Sequence, residues 1–132
     1  MARRDVTGLL VTLDAPESVC TGEQLGYTVA VSNGGSEAID LHLQGREPTF
    51  DLRVTDESGA TVWRRLEGQS VQAILRLDTV GPGGEMTFRD AWDQRDARGR
   101  LLPPGSYSLQ AEVLTDGKPL VSEARKLRIT EA

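Results

Sequence analysis

Apolar side chains recur at every second position through most of this chain. Leu25, Tyr27, Val29 and Val31 alternate with Gly26, Thr28, Ala30 and Ser32. Ile39, Leu41 and Leu43 alternate with Asp40, His42 and Gln44, and Phe50, Leu52 and Val54 with Asp51, Arg53 and Thr55. Tyr107, Leu109, Ala111 and Val113 repeat the pattern. Successive side chains of an extended chain point to opposite faces, so this period of two predicts strands with one buried face and one wet face. Shorter runs predict further strands at Leu9–Leu13, Thr61–Arg64 and Ala73–Leu77, through Met86, Phe88 and Trp92, and around Leu127 and Ile129. Val71, Ile74 and Leu75 also fit helical spacing, so a helix over 71–77 stays open as an alternative.

Turn residues separate these runs. Asn33-Gly34-Gly35 ends one strand, Asp56-Glu57-Ser58-Gly59 reads as a hairpin turn, and Val80-Gly81-Pro82-Gly83-Gly84 as another turn. Asp116-Gly117 carries the signature of a two-residue hairpin. Between Trp92 and Tyr107, Asp93 and Asp96 are placed to bond loop amides, Gly99 permits a positive φ, and Pro103-Pro104-Gly105 makes a stiff turn. Tyr107 then sits where a corner tyrosine bonds back to the backbone. Asp90 falls on the inward parity of its strand, which predicts a bulge beside it. The charged last strand, with Glu123, Arg125, Lys126 and Arg128, reads as a protected edge. Together these features predict a single all-β domain over residues 1–132. Its expected form is an immunoglobulin-like antiparallel β-sandwich of about eight to nine strands.

Composition narrows the partners. The net charge of −5 argues against nucleic acid and against an anionic membrane surface, since both need a basic face. One cysteine, Cys20, excludes an intrachain disulfide and suits a reducing compartment. The apolar run after Arg3 and Arg4 is only Leu9-Leu10-Val11, too short for an export signal. The expectation is a cytoplasmic protein, with export of a longer precursor left open.

Catalytic and metal chemistry finds little support. Cys20, beside Thr21 and Gly22, reads as a small half-buried side chain rather than a nucleophile. His42, the single histidine, lies on the polar face of a strand with no hydroxyl placed near it. One histidine and one cysteine are too few for zinc. Asp90, Asp93 and Asp96 recur every three residues but lack the order of a calcium loop. Gly81-Pro82-Gly83-Gly84 lacks the lysine of a phosphate loop. Arg53, Arg64 and Arg65 read as cross-strand partners of carboxylates. The chain is therefore expected to be no enzyme, with no cofactor and no metal. Two loops are candidates for binding: Leu66, Glu67, Gly68, Gln69 and Ser70, and the segment containing Arg95, Arg98, Arg100 and Leu101.

Several blocks taken together resemble one family. They are Phe50-Asp51-Leu52-Arg53-Val54, Gly59-Ala60-Thr61-Val62-Trp63-Arg64, Gly83-Gly84-Glu85, and Trp92-Asp93-Gln94 with Gly99, Pro104-Gly105 and Tyr107. The set is similar to the BsuPI family, the intracellular proteinase inhibitors of bacilli and their relatives, over roughly Gly22 to Leu114. The resemblance implies an immunoglobulin-like sandwich and a protein partner, a subtilisin-like serine protease. The last block by itself also resembles the immunoglobulin-like domain of flagellar hook-capping proteins and bacterial surface repeats. A second reading therefore stays open: an interaction or assembly module of unknown target, associated with the cell envelope.

Overall fold

The alternating runs become strands, but the one expected at Ala73–Leu77 falls at Leu75–Val80, and Leu77, on its expected inward parity, is 56% exposed. The computed structural model describes residues 9–44, 50–67, 75–115 and 119–131. In chain order the strands are β1 (Leu9–Asp14), β2 (Ser18–Cys20), β3 (Leu25–Asn33), β4 (Ile39–Gln44), β5 (Phe50–Thr55), β6 (Thr61–Arg64), β7 (Leu75–Val80), β8 (Glu85–Trp92), β9 (Gly105–Val113), β10 (Leu120–Val121) and β11 (Arg125–Thr130). No helix occurs among the described residues. The count exceeds the expected number because β2 and β10 span only three and two residues, too few to show a period.

One sheet has the order β1-β3-β8, the other β2-β11-β9-β5-β6, with β10 also on β9; β4 and β7 form a pair of their own. All pairings are antiparallel except β2 with β11. The inward residues of the two large sheets form one core. Phe50 of β5 stacks on Phe88 of β8 at 5.5 Å between centroids, and meets Tyr27 of β3 edge-on at 6.1 Å. Trp63 of β6 stacks on Trp92 at 5.5 Å. Leu41 and Leu43 of β4 join the same core.

Three expectations are corrected. The β3·β8 ladder runs unbroken from Leu25↔Trp92 to Ser32↔Glu85, so there is no bulge at Asp90. Its carboxylate is instead accommodated by Arg65, which reaches across from the other sheet at 2.8 Å. The register shift lies between Val54 and Thr55, opposite β6. Second, β11 is no edge: β9 pairs on one side and β2 on the other. Its charges mark the wet face of an inner strand, while Leu127 and Ile129 are buried. Third, Cys20 is exposed rather than half-buried, because it ends the short outer strand β2. Gly68, Gln69, Ser70, Val71 to Ile74, the Asp116-Gly117 hairpin, Arg3, Arg4 and the side chain of His42 lie outside the described residues.

Asn33 joins the β3·β8 ladder to the β4·β7 pair. It is 1% exposed. Its Nδ2 donates to the Glu37 carbonyl at 2.7 Å and the Val80 carbonyl at 3.0 Å, and its Oδ1 accepts from Gly35 N at 2.9 Å. Its backbone bonds Gly83 and Gly84 in the opposing turn. That turn needs its glycines: Gly83 has φ 70°, and a Cβ on Gly84 would meet the Gly81 carbonyl at 2.9 Å. Asn33→Ala leaves the Val80 carbonyl without its donor and should cost roughly 2–3 kcal/mol. Urea denaturation measures it; a loss below about 0.5 kcal/mol would contradict this role for Asn33.

Candidate functional site

The segment from Trp92 to Tyr107 is locked by its own hydrogen bonds. Trp92 Nε1 donates to the Arg95 carbonyl at 3.0 Å, and the Arg95 amide donates to Asp93 Oδ1 at 3.1 Å. Asp96 Oδ1 accepts from the amides of Arg98 and Arg100, each at 2.9 Å. Asp96 N donates to the Arg100 carbonyl, Arg95 and Leu101 form a bridge, and Gly99 turns the tip at φ 81°. The Arg100 amide first, then that of Arg98, holds the Asp96 carboxyl below the usual aspartate range. At the far end the Tyr107 hydroxyl donates to the Pro103 carbonyl at 2.6 Å, the expected tyrosine corner.

Two ties fasten this loop to the sandwich. Gln94 is fully buried and has φ 64°, a left-handed conformation that a side chain adopts at a cost. It is held there because its Nε2 donates to the carbonyls of Cys20 at 2.7 Å and Glu23 at 2.6 Å, in the β2–β3 connection. The second tie is the Ala97 amide, which donates to the Val62 carbonyl of β6 at 3.1 Å. Arg95, Arg98, Arg100 and Leu101 remain exposed on the outside, whereas Leu102 turns into the core.

The other predicted loop begins as a turn at residues 65–67. Asp51, 2% exposed, anchors it. Its Oδ2 accepts from Arg64 Nε at 2.8 Å and Nη2 at 2.6 Å, and its Oδ1 from the Leu66 amide at 3.0 Å. Arg65 lies over the Phe50 ring at 4.1 Å and donates to the Phe50 carbonyl and Asp90. Arg53 pairs with Glu112 at 3.3 Å. Arg53 and Arg64 thus have the cross-strand carboxylates expected of them, whereas the carboxylate of Arg65 lies on the other sheet.

The structure brings one residue of each loop together. Glu67 and Ala97 line the same shallow groove of about 270 Å³ along β6, with Trp63 and Arg64 between them. Leu66 and the outward residues Arg95, Arg98, Arg100 and Leu101 stand outside that groove. Asp93 and Asp96 serve loop amides and Asp90 serves Arg65, so these three carboxylates point to separate tasks. Gln94 and Asp51 were missed in the sequence. Asp51 reads as an outward polar residue, and nothing local announces the Arg64 and Leu66 donors that cover it. Gln94 carried one signal, its place in the Trp-Asp-Gln block.

An immunoglobulin-like sandwich presenting a pre-formed, hydrogen-bonded loop defines a class of binding scaffold. This chain belongs to the BsuPI family of intracellular proteinase inhibitors, whose family model matches residues 14–118. No curated protein matches it in sequence. Among solved structures it is similar to the CARDB domain of a Pyrococcus furiosus protein, in solution at 17% identity and TM-score 0.50, covering 95% of this chain and 96% of that one. The crystal structure of that domain in complex with di-metal ions matches at 15% identity and TM-score 0.50, covering 94% of each. A Listeria innocua beta-glucosidase matches at 10% identity and TM-score 0.54, over 96% of this chain but only 16% of that one. At such identities these likenesses concern the fold, and they agree with the immunoglobulin-like architecture.

The depressed Asp96 carboxyl sets a pH window. A carboxylate with a folded value below its unfolded one holds the loop at all pH above the unfolded value, and lets go as the pH falls through the folded one. NMR shifts of the Arg98 and Arg100 amides should therefore titrate with a midpoint below the ordinary aspartate value of about 3.9. A midpoint above that value would show that the carboxylate does not hold the loop.

Proposed function

We propose that the chain is a cytoplasmic protein that binds a subtilisin-like serine protease and obstructs its cleft. The Arg95–Leu101 loop is the inserted element, and the Leu66–Ser70 segment is a flanking contact. The observation that carries this reading is the loop's internal bonding in a member of a proteinase-inhibitor family. A loop ordered before it meets its target loses little conformational freedom on binding, and that saving becomes affinity. Leu101, 43% exposed, is the apolar side chain offered to a pocket, and Arg95, Arg98 and Arg100 are exposed cations of the same loop. Leu102, buried next door, fixes where Leu101 points. Inhibition of this kind needs no cofactor, because occupying the cleft suffices.

Titration of an intracellular subtilisin with the purified protein, followed by peptide hydrolysis, tests the reading. Hydrolysis should fall with added protein, and Leu101→Asp should weaken inhibition at least about tenfold, about 1.4 kcal/mol, with an unchanged circular dichroism spectrum. Undiminished hydrolysis at micromolar protein would overturn the inhibitor reading. Inhibition by Leu101→Asp equal to that of the parent would overturn the loop assignment.

A further inference from the structure

A second concavity lies away from the Arg95–Leu101 loop, over the wet face of β9 and β11. It encloses about 720 Å³. Its floor is built in register: Lys126 stands opposite Ser108 and Arg128 opposite Ser106. Glu57 and Asp56, in the β5–β6 turn, form one rim, and Glu17 the other. Thr55 pairs with Ser108, so the turn that follows β5 brings Asp56 and Glu57 beside the groove.

What singles out this groove is where charges are left unmatched. Elsewhere on the same sheet the outward cations are paired, Arg64 with Asp51 at 2.6 Å and Arg53 with Glu112 at 3.3 Å. Arg125 spends its guanidinium on the carbonyls of Leu13 and Ala15. Lys126 and Arg128 have no ion pair among the described residues, and both are exposed over two hydroxyls. Asp56 is occupied by Ser58 and Ala60 of its own turn, which leaves Glu57 as the available anion of that rim. Cations and anion are separated by the width of β9, about 10 Å as two strand spacings.

We propose that this groove binds an extended peptide segment, taking a carboxylate on Lys126, Arg128, Ser106 and Ser108 and a basic side chain at Glu57. A carboxylate fits two cations and two hydroxyl donors. The acidic rims and the net charge of −5 disfavour polyanions such as nucleic acid, so the matching ligand is dipolar. The carboxylate is supplied either by an acidic side chain or by a peptide C-terminus. The site is independent of the protease reading, since none of its residues belongs to the Arg95–Leu101 loop.

The test is NMR titration with two peptides, acetyl-Ala-Asp-Ala-Lys-Ala-amide, whose Asp and Lys share one face of an extended chain, and acetyl-Ala-Lys-Ala-Ala with a free C-terminal carboxylate. Saturable shifts at the amides of Ser106, Ser108, Lys126 and Arg128 with either peptide support the site, and the one that binds identifies the carboxylate source. Lys126→Glu with Arg128→Glu should weaken binding at least tenfold. Glu57→Gln should erase the preference for the lysine peptide over its alanine counterpart. No saturable shift with either peptide, or equal binding of the asparagine version of the first, would overturn the carboxylate site. A lysine preference that survives Glu57→Gln would overturn the dipolar match.

Discussion

Phe50 is the wedge on which the two sheets close. It is fully buried at the start of β5, stacked on Phe88 and edge-on to Tyr27 of the opposite sheet. Arg65 covers its ring at 4.1 Å, bonds its carbonyl, and crosses to Asp90 of β8. A large ring buried against two others supplies both area and orientation, and the guanidinium makes the rim of that contact wettable. Burial, with the Asp90 carboxylate close by, pushes the Tyr27 phenol far above its ordinary value, so it stays neutral. One contact therefore closes the sandwich and fixes where the chain leaves β6 toward Leu66.

The β8–β9 connection shows how a sandwich makes a loop rigid. Strand pairing alone would leave residues 93–104 as a plain connection. Rigidity comes from three sources acting together: carboxylates that satisfy loop amides, a buried glutamine that bonds a neighbouring connection, and an amide donated to the free side of β6. The strained φ of Gln94 persists because its amide has two carbonyl acceptors in a dry site. A loop built this way is ordered in the fold before any partner arrives.

The wet face of the larger sheet divides into two kinds of surface. Toward β5 and β6, arginines and carboxylates neutralise one another across strands, and Asp51 is covered so well that it behaves as an interior group. Toward β11, cations stand over serines and a concavity. The same strand periodicity produces both, and the difference lies in which residues the register sets opposite each other.

The period of two placed the strands and most of their inner faces, because alternation is a property of the chain alone, although Leu77 of the expected inward set is 56% exposed. The glycine and aspartate turns were legible for the same reason: Gly59, Gly83 and Gly99 have positive φ where the turns required it. Tertiary structure decided what alternation cannot encode. Asp90, on the inward parity, needed no bulge because Arg65 arrives from another sheet. The charged β11 became an inner strand because β2, too short to read, pairs beside it. Asp51 and Gln94 gained their roles from donors and acceptors up to 74 residues away in sequence. A single chain read in order shows which side chains share a face, but only packing shows which of those faces is covered and which partner each side chain meets there.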